Sequence, residues 1–296
     1  MIFDDAIDSI FPDCPFDHVA AAFINFDTKE TKTTQRGHQG DIWFDLASLS
    51  KVLTLASTYH QHQNLFGEDE ILLIEHRAGL PAWGRLSKDG WRETVTKYSI
   101  VDTPHLYSDF SALRTMIELE KKSGKKLKEL CSPIWDEELL HWLDLPEYYH
   151  SPETGFRRKR IIRGQVHDDN AYVIGEFLSH AGMFGTIKGV SQTLLNLDAK
   201  TGCIDSIKKL YETDQKRGRF LRGWDTMEDP ETTLAGKGCS PITFGHTGFT
   251  GTSLWMDAEK RIGWVLLTNS TQHYWYHRMK LNELRRTLGE IAWKSK

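Results

Sequence analysis

The sequence predicts an α+β fold in which the two ends of the chain supply one antiparallel sheet and the stretch between them forms an inserted helical lobe. Three observations carry this expectation. Strand-like apolar runs lie near both ends, at 18–26 and again at 252–257 and 261–269. The middle shows helix-like apolar spacing over 110–122, 134–145 and 190–197. A chain of 296 residues with 39% hydrophobic content can also bury a substantial core as a single domain, 1–296. The expected partition is an α/β lobe from about 1–60 and 235–296 and a helical lobe from about 61–234.

Taken in order, His18 to Phe26 reads as a buried strand, and the polar stretch 27–32 as the turn before a second strand. A buried helix opens near Ser48, with Val52, Leu53, Leu55 and Ala56 as its apolar, small-residue face. Residues 71–83 form an apolar stretch that breaks at Gly79 and Pro81. Ser132-Pro133 fits the start of a helix over 134–145. The stretch 164–185, rich in Gly, His, Asp and Asn, reads either as a plain surface turn or as a loop lining a site. Near the end, 252–257 and 261–269 flank Ala258-Glu259-Lys260 as a hairpin, and a last helix runs from about Tyr274 to Trp293.

Composition excludes a disordered chain, and the net charge of −4 gives no bias towards polyanions. The basic clusters at 121–126 and 157–160 are short and flanked by Glu118, Glu120, Glu129 and Glu153, so they read as solvated surface. Neither a nucleic-acid nor a membrane partner is expected. The four cysteines, Cys14, Cys131, Cys203 and Cys239, are far apart and suggest neither a zinc ribbon nor a disulfide framework. The N-terminus lacks a basic and then apolar leader, and no run of about 18 apolar residues occurs. Taken at face value this places the protein in a reducing cytoplasm; a chain trimmed of a leader would fit the periplasm instead.

Ser48 and Lys51 are the most informative residues. A serine and a lysine three apart share one helix face, and burial activates a lysine as proton acceptor for a hydroxyl. Ser123 with Lys126 and Ser206 with Lys209 repeat the spacing in strongly charged surroundings, which points to Ser48 as the reactive serine. Downstream come Tyr107-Ser108-Asp109 and, inside a glycine-flanked run, His246-Thr247-Gly248-Phe249.

With these motifs the chain resembles the serine β-lactamase and penicillin-binding-protein type of hydrolase, in the class C β-lactamase-related esterase and peptidase branch. Three further segments extend the resemblance: Leu-Ile-Glu-His-Arg-Ala-Gly-Leu-Pro-Ala-Trp (73–83), Val166-His167-Asp168-Asp169-Asn170-Ala171, and Ala181-Gly182-Met183-Phe184-Gly185-Thr186. The resemblance implies a β-lactamase/transpeptidase-like fold. It also implies that Ser48 attacks an acyl carbonyl, Lys51 relays its proton, and Tyr107 serves the leaving group, as phenolate if a cation such as Lys51 stands beside it. Oxyanion donors would be the backbone N–H groups of Ser48 and Phe249.

Two positions depart from the β-lactamase pattern. Asp109 stands where an asparagine amide is expected, and His246, only partly charged at neutral pH, where a lysine is expected. Together with Thr247 and Gly248 they form the expected substrate-binding edge, and their charges favour neutral ester or amide substrates, small molecules or peptides, over anionic ones. Asp45 is expected to cap the Ser48 helix. His60 and His62 read as exposed polar residues, and His167 and Asp168 as cleft lining that needs no metal. The sequence therefore predicts a cofactor-free serine hydrolase of esterase, D-amino-acid peptidase or weak β-lactamase type. The alternatives are a catalytically silent binding or sensor protein of the same fold, and a metallohydrolase built on His60, His62 and His167.

Overall fold

The computed structural model describes residues 2–213, 218–273 and 278–295. The N-terminal end supplies β1 (Val19–Asn25) and β2 (Glu30–Arg36). The middle holds β3 (Phe44–Asp45), β4 (Leu139–His141), β5 (Glu153–Arg157), β6 (Arg160–Arg163) and β7 (Met183–Gly185). The last part holds β8 (Phe220–Leu221), β9 (Trp224–Thr226), β10 (Thr243–Thr247), β11 (Ser253–Asp257) and β12 (Ile262–Thr268). The main sheet is antiparallel, in the order β2-β1-β12-β11-β10-β9-β8, with Val19 opposite Thr268 and Asn25 opposite Ile262. Its later strands begin at Phe220, ahead of the change of lobe expected near residue 235.

Alternate residues of the central strands enter two different cores. Ala20, Ala22, Val265 and Leu267 face one, beneath the helix Ile187–Thr201. Val19, Ala21, Phe23, Trp264 and Leu266 face the other, beneath the helices Asp4–Ile10 and Met279–Trp293. A sheet covered on both faces needs no polar side, so its strands appear in the sequence as unbroken apolar runs. A third core, with Leu73, Trp91, Leu113 and Met116, fills the helical lobe.

Three expectations change. Residues 134–145 do not form a helix: a 3₁₀ turn at Ser132–Ile134 leads into β4, and a second follows at Trp142–Asp144. Leu139 of β4 pairs with Gly185 of β7, where any side chain at 185 would press on the Leu139 methyl, so strand pairing overrides the local spacing. Residues 164–185 are not one loop but contain the helix Asp169–Ile174 and β7. The last helix begins at Met279, and 274–277, part of its expected start, lie outside the described residues.

Candidate active site

The Ser48 helix, residues 49–61, leaves β3 through a tight turn at Ala47, whose φ of 47° lies in the left-handed region at a cost of about 1 kcal/mol for a residue with a Cβ. The turn is held from both sides. Asp45 accepts the Ala47 N–H at 2.8 Å, and the Thr250 and Thr252 hydroxyls, beyond β10, donate to the Asp45 and Leu46 carbonyls. Gly248 is required here: a Cβ would come within 2.0 Å of Thr252 Oγ1 and 2.7 Å of the Leu46 carbonyl. Past its first turn the helix widens into a π segment at Val52–Ala56. It is clamped to the chain entering β7, because Ser50 accepts the Met183 N–H while Lys51 and Thr54 donate to the His180 and Ser179 carbonyls.

Lys51 is buried and its ammonium lies against Ser48 Oγ at 3.1 Å, the His180 carbonyl at 3.2 Å and Asp109 Oδ1 at 2.7 Å. Burial alone would lower its pKa. The Asp109 carboxylate and Tyr107 outweigh that cost and hold the group above the ordinary lysine range, so the resting form is the ammonium and not the neutral amine expected from desolvation. Asp109 is placed by the helix it opens, Asp109–Ser123, which Ser108 caps by accepting the Ser111 N–H.

The Lys51 ammonium also lies 4.9 Å from the centre of the Tyr107 ring. The Tyr107 hydroxyl is buried and makes no hydrogen bond of regular geometry among the described residues, although Lys51 and Ser48 stand close enough to favour its ionisation. Burial, reinforced by Asp109, wins and raises its pKa, so the tyrosine rests as a phenol and not as the expected phenolate. The ring leans on His76, at 4.6 Å, and on Phe220, at 5.8 Å. His76 accepts the Ser108 N–H, which ties the 73–83 segment to Tyr107-Ser108-Asp109.

His246 lies on β10, buried, with Nδ1 donating to the Thr247 carbonyl at 2.8 Å and its ring 5.7 Å from that of Tyr107. A carbonyl only accepts, so Nδ1 carries the proton and Nε2, buried and without a partner among the described residues, presents a lone pair. Burial pushes its pKa down to about 4 against the opposing pull of Asp225, with Lys51 adding to the drop. The expected partial charge at neutral pH is therefore absent.

Two hollows of about 340 and 420 Å³ meet at Ser48, Tyr107 and Phe249. The first is lined by Asp109, Asp168, Asp169, His167 and His180 among others, the second by His246, Thr247, Gly248, Arg219 and Arg278 among others. Seven of the eight site residues expected from the sequence thus line one cleft, and the eighth, Lys51, lies buried behind Ser48. Asp168 is held well below the usual carboxylate range, despite burial, by His180 at 3.1 Å, and it caps the helix Asp169–Ile174 by accepting the Ala171 N–H.

Other expectations are corrected. Asp45 does not cap the Ser48 helix: its second oxygen accepts the His167 N–H at 2.6 Å, so it bridges the Ser48 turn to the cleft loop. Its complete burial lifts its pKa to about 6. His60 is buried, accepting the Trp224 indole N–H at 3.2 Å, and His62 faces the Leu130 carbonyl, whereas His167 lines the cleft. Among the described residues no three metal-ligating side chains converge. Sequence reasoning missed Arg219, Asp225 and Arg278. Arg219 and Asp225 form a bidentate pair at 2.8 and 2.9 Å, but no local pattern marks either as cleft residues.

The fold is that of class C β-lactamases and D-alanine carboxypeptidases. It superposes on a class C beta-lactamase mutant with a TM-score of 0.70 at 13% identity, covering 100% of this chain and 96% of that one. It superposes on a beta-lactamase/D-alanine carboxypeptidase from Pseudomonas syringae with a TM-score of 0.67 at 12% identity, covering 99% and 98%. Identities this low carry the fold alone. The Beta-lactamase family model matches residues 72–286, and the chain belongs to this family of serine hydrolases. That match begins downstream of Ser48 and Lys51. An Escherichia coli K12 relative with the provisional name D-alanyl-D-alanine carboxypeptidase is 34% identical over 38% of this chain and 28% of its own length. An N-acetylmuramyl-L-alanine amidase of Bacillus subtilis 168 is 26% identical over 69% of this chain and 57% of its own length. The chain thus spans from about a quarter to little more than half of these curated relatives.

Proposed function

We propose that the protein is a serine hydrolase that opens a neutral ester or amide through an acyl-enzyme on Ser48. The observation that carries this reading is the 3.1 Å contact between Ser48 Oγ and Lys51 Nζ at the junction of two hollows, where a carbonyl can lie with a substituent on each side. Ser48 Oγ bonds to the carbonyl carbon and its proton passes to the Lys51–Tyr107 pair once that pair has lost a proton. The backbone N–H groups of Ser48 and Phe249 meet the oxyanion, and the bond to the leaving group breaks as the pair returns the proton to it. Water then cleaves the acyl ester by the reverse relay. The carboxylates of Asp109, Asp168 and Asp169 beside one hollow support an uncharged substituent there; beside the other, His246 is neutral and Arg219 is paired with Asp225, while Arg278 lies over the Phe249 ring.

A second reading, a silent binding or sensor protein, is favoured by one observation, the ion pair that keeps Lys51 protonated. A serine-directed phosphonate followed by peptide mapping, with p-nitrophenyl esters and a chromogenic β-lactam as substrates, tests both. We expect an adduct on Ser48, lost in Ser48→Ala, with ester turnover exceeding that of the β-lactam. Labelling that survives Ser48→Ala overturns the proposal, and stoichiometric labelling without turnover of any substrate supports the silent protein.

A further inference from the structure

We propose that the β5–β6 hairpin docks the protein on an anionic phospholipid bilayer, with Phe156 and Ile161 entering the headgroup boundary. The hairpin forms a two-stranded sheet of its own, in which Phe156 and Ile161 are cross-strand partners on one face, 63% and 51% exposed. Next to this apolar pair the hairpin carries Arg158, Lys159 and Arg160, all exposed and forming no ion pair among the described residues.

The turn itself is unusual. Arg158 and Lys159 both take positive φ, 50° and 67°, in a two-residue connection between the paired Arg157 and Arg160. That geometry favours Asn-Gly, and holding it with two long cationic residues costs stability, which calls for a role at the tip. Beside the turn, a hollow of about 490 Å³ is lined by Arg157, Arg158, Arg160, Gln165 and Tyr172 together with Ile161 and Ile162, a surface that offers donors to a lipid phosphate next to apolar side chains.

Charge complementarity and the apolar pair together select the occupant. Cations alone would serve any polyanion, but an exposed aliphatic Ile161 beside Phe156 gains nothing from phosphates and is stabilised by leaving water at a bilayer surface. Arg157 anchors the hairpin to the cleft loop, donating to the Val166 and His167 carbonyls at 2.8 and 2.7 Å and pairing with Asp169 at 2.9 Å. Docking through this hairpin therefore sets the cleft beside the membrane. The inference does not depend on which reaction the cleft performs.

The test is co-sedimentation of the full chain with vesicles of phosphatidylcholine alone and of phosphatidylcholine with phosphatidylglycerol at about 2:1. We expect binding to the anionic vesicles only, weakened by salt. In Arg158→Asn with Lys159→Gly it should fall by about 25-fold, each cation near the surface contributing about a factor of five. Because Asn-Gly relieves the turn, that variant should melt no lower than the wild type, which separates lost binding from misfolding. Phe156→Ser with Ile161→Ser should also weaken vesicle binding. Equal binding to both vesicle types overturns the proposal, as does binding unchanged in both variants. Retention on heparin without binding to any vesicle overturns it in favour of a soluble polyanion.

Discussion

The Lys51 ammonium lies 2.7 Å from the Asp109 carboxylate, and this pair sets the protonation state of the residues around Ser48. The carboxylate opposes the lowering that burial imposes on the Lys51 ammonium, and it raises the pKa of Tyr107 as well. An asparagine there would leave both groups easier to deprotonate.

For Asp109→Asn, we accordingly expect acylation to gain at neutral pH. Loss of the carboxylate lowers the pKa of both Lys51 and Tyr107, so the deprotonated form appears at lower pH. One unit of downward shift corresponds to about a tenfold faster phosphonate addition below the transition. Rates measured from pH 6 to 10 in both proteins check this; an unmoved profile would show that the ion pair does not control activation.

Tyr107→Phe separates catalysis from stability. Its hydroxyl has no regular hydrogen bond to lose among the described residues, so unfolding in urea should change by no more than about 1 kcal/mol. Acylation should drop on the order of 10²–10⁴-fold if the phenol takes part in proton transfer. A drop below tenfold would remove Tyr107 from the relay.

With its pKa at about 4, His246 does not titrate between pH 5 and 8. The pH profile of His246→Gln should therefore keep the shape of the wild-type profile over that window, even if its height changes. A limb near pH 6.5 that disappears in the variant would show that His246 is more solvated than its burial indicates.

Asp45 makes stability depend on pH. Its folded pKa of about 6 exceeds the ordinary value of 3.8, so the folded state holds a proton that the unfolded chain releases. This contribution is fully present below about pH 3.8 and is lost as pH rises through about 6, a difference of about 3 kcal/mol. Urea midpoints of wild type and Asp45→Asn, compared from pH 4 to 7, should diverge in slope accordingly. Parallel curves would mean that the carboxyl is already ionised at pH 4.

Legibility in the sequence followed the range of the interactions. β1 and β12 could be read because double-sided burial leaves a local signature, an apolar run. Ser48 and Lys51 could be read because their contact lies within one helical turn. The roles that escaped depend on partners distant in the chain. Asp109 reads as a substitution for an amide until Lys51 is seen beside it, and Asp45 as a helix cap until His167 reaches its second oxygen. The protonation states of Lys51, Tyr107 and His246 escaped for the same reason, since burial and opposing charges come from several segments at once. The strand at 139–141 escaped because its hydrogen bonds go to β7 and not along its own chain.

The pairing of β1 with β12 also has a consequence during synthesis. At a translation rate of about 5–20 residues per second, roughly 10–50 s pass between the emergence of the first strand and that of its central partner. Through that interval β1, apolar on both faces, has only β2 beside it, an open edge of the kind that invites association between nascent chains. Ser48, Lys51 and Tyr107 emerge before β10 with Gly248 and the Thr250 and Thr252 hydroxyls, so the turn beneath Ser48 gains its second support only after the whole helical lobe has been made. A ribosome stalled before β10 would release a chain that contains the serine and lysine without the wall they face.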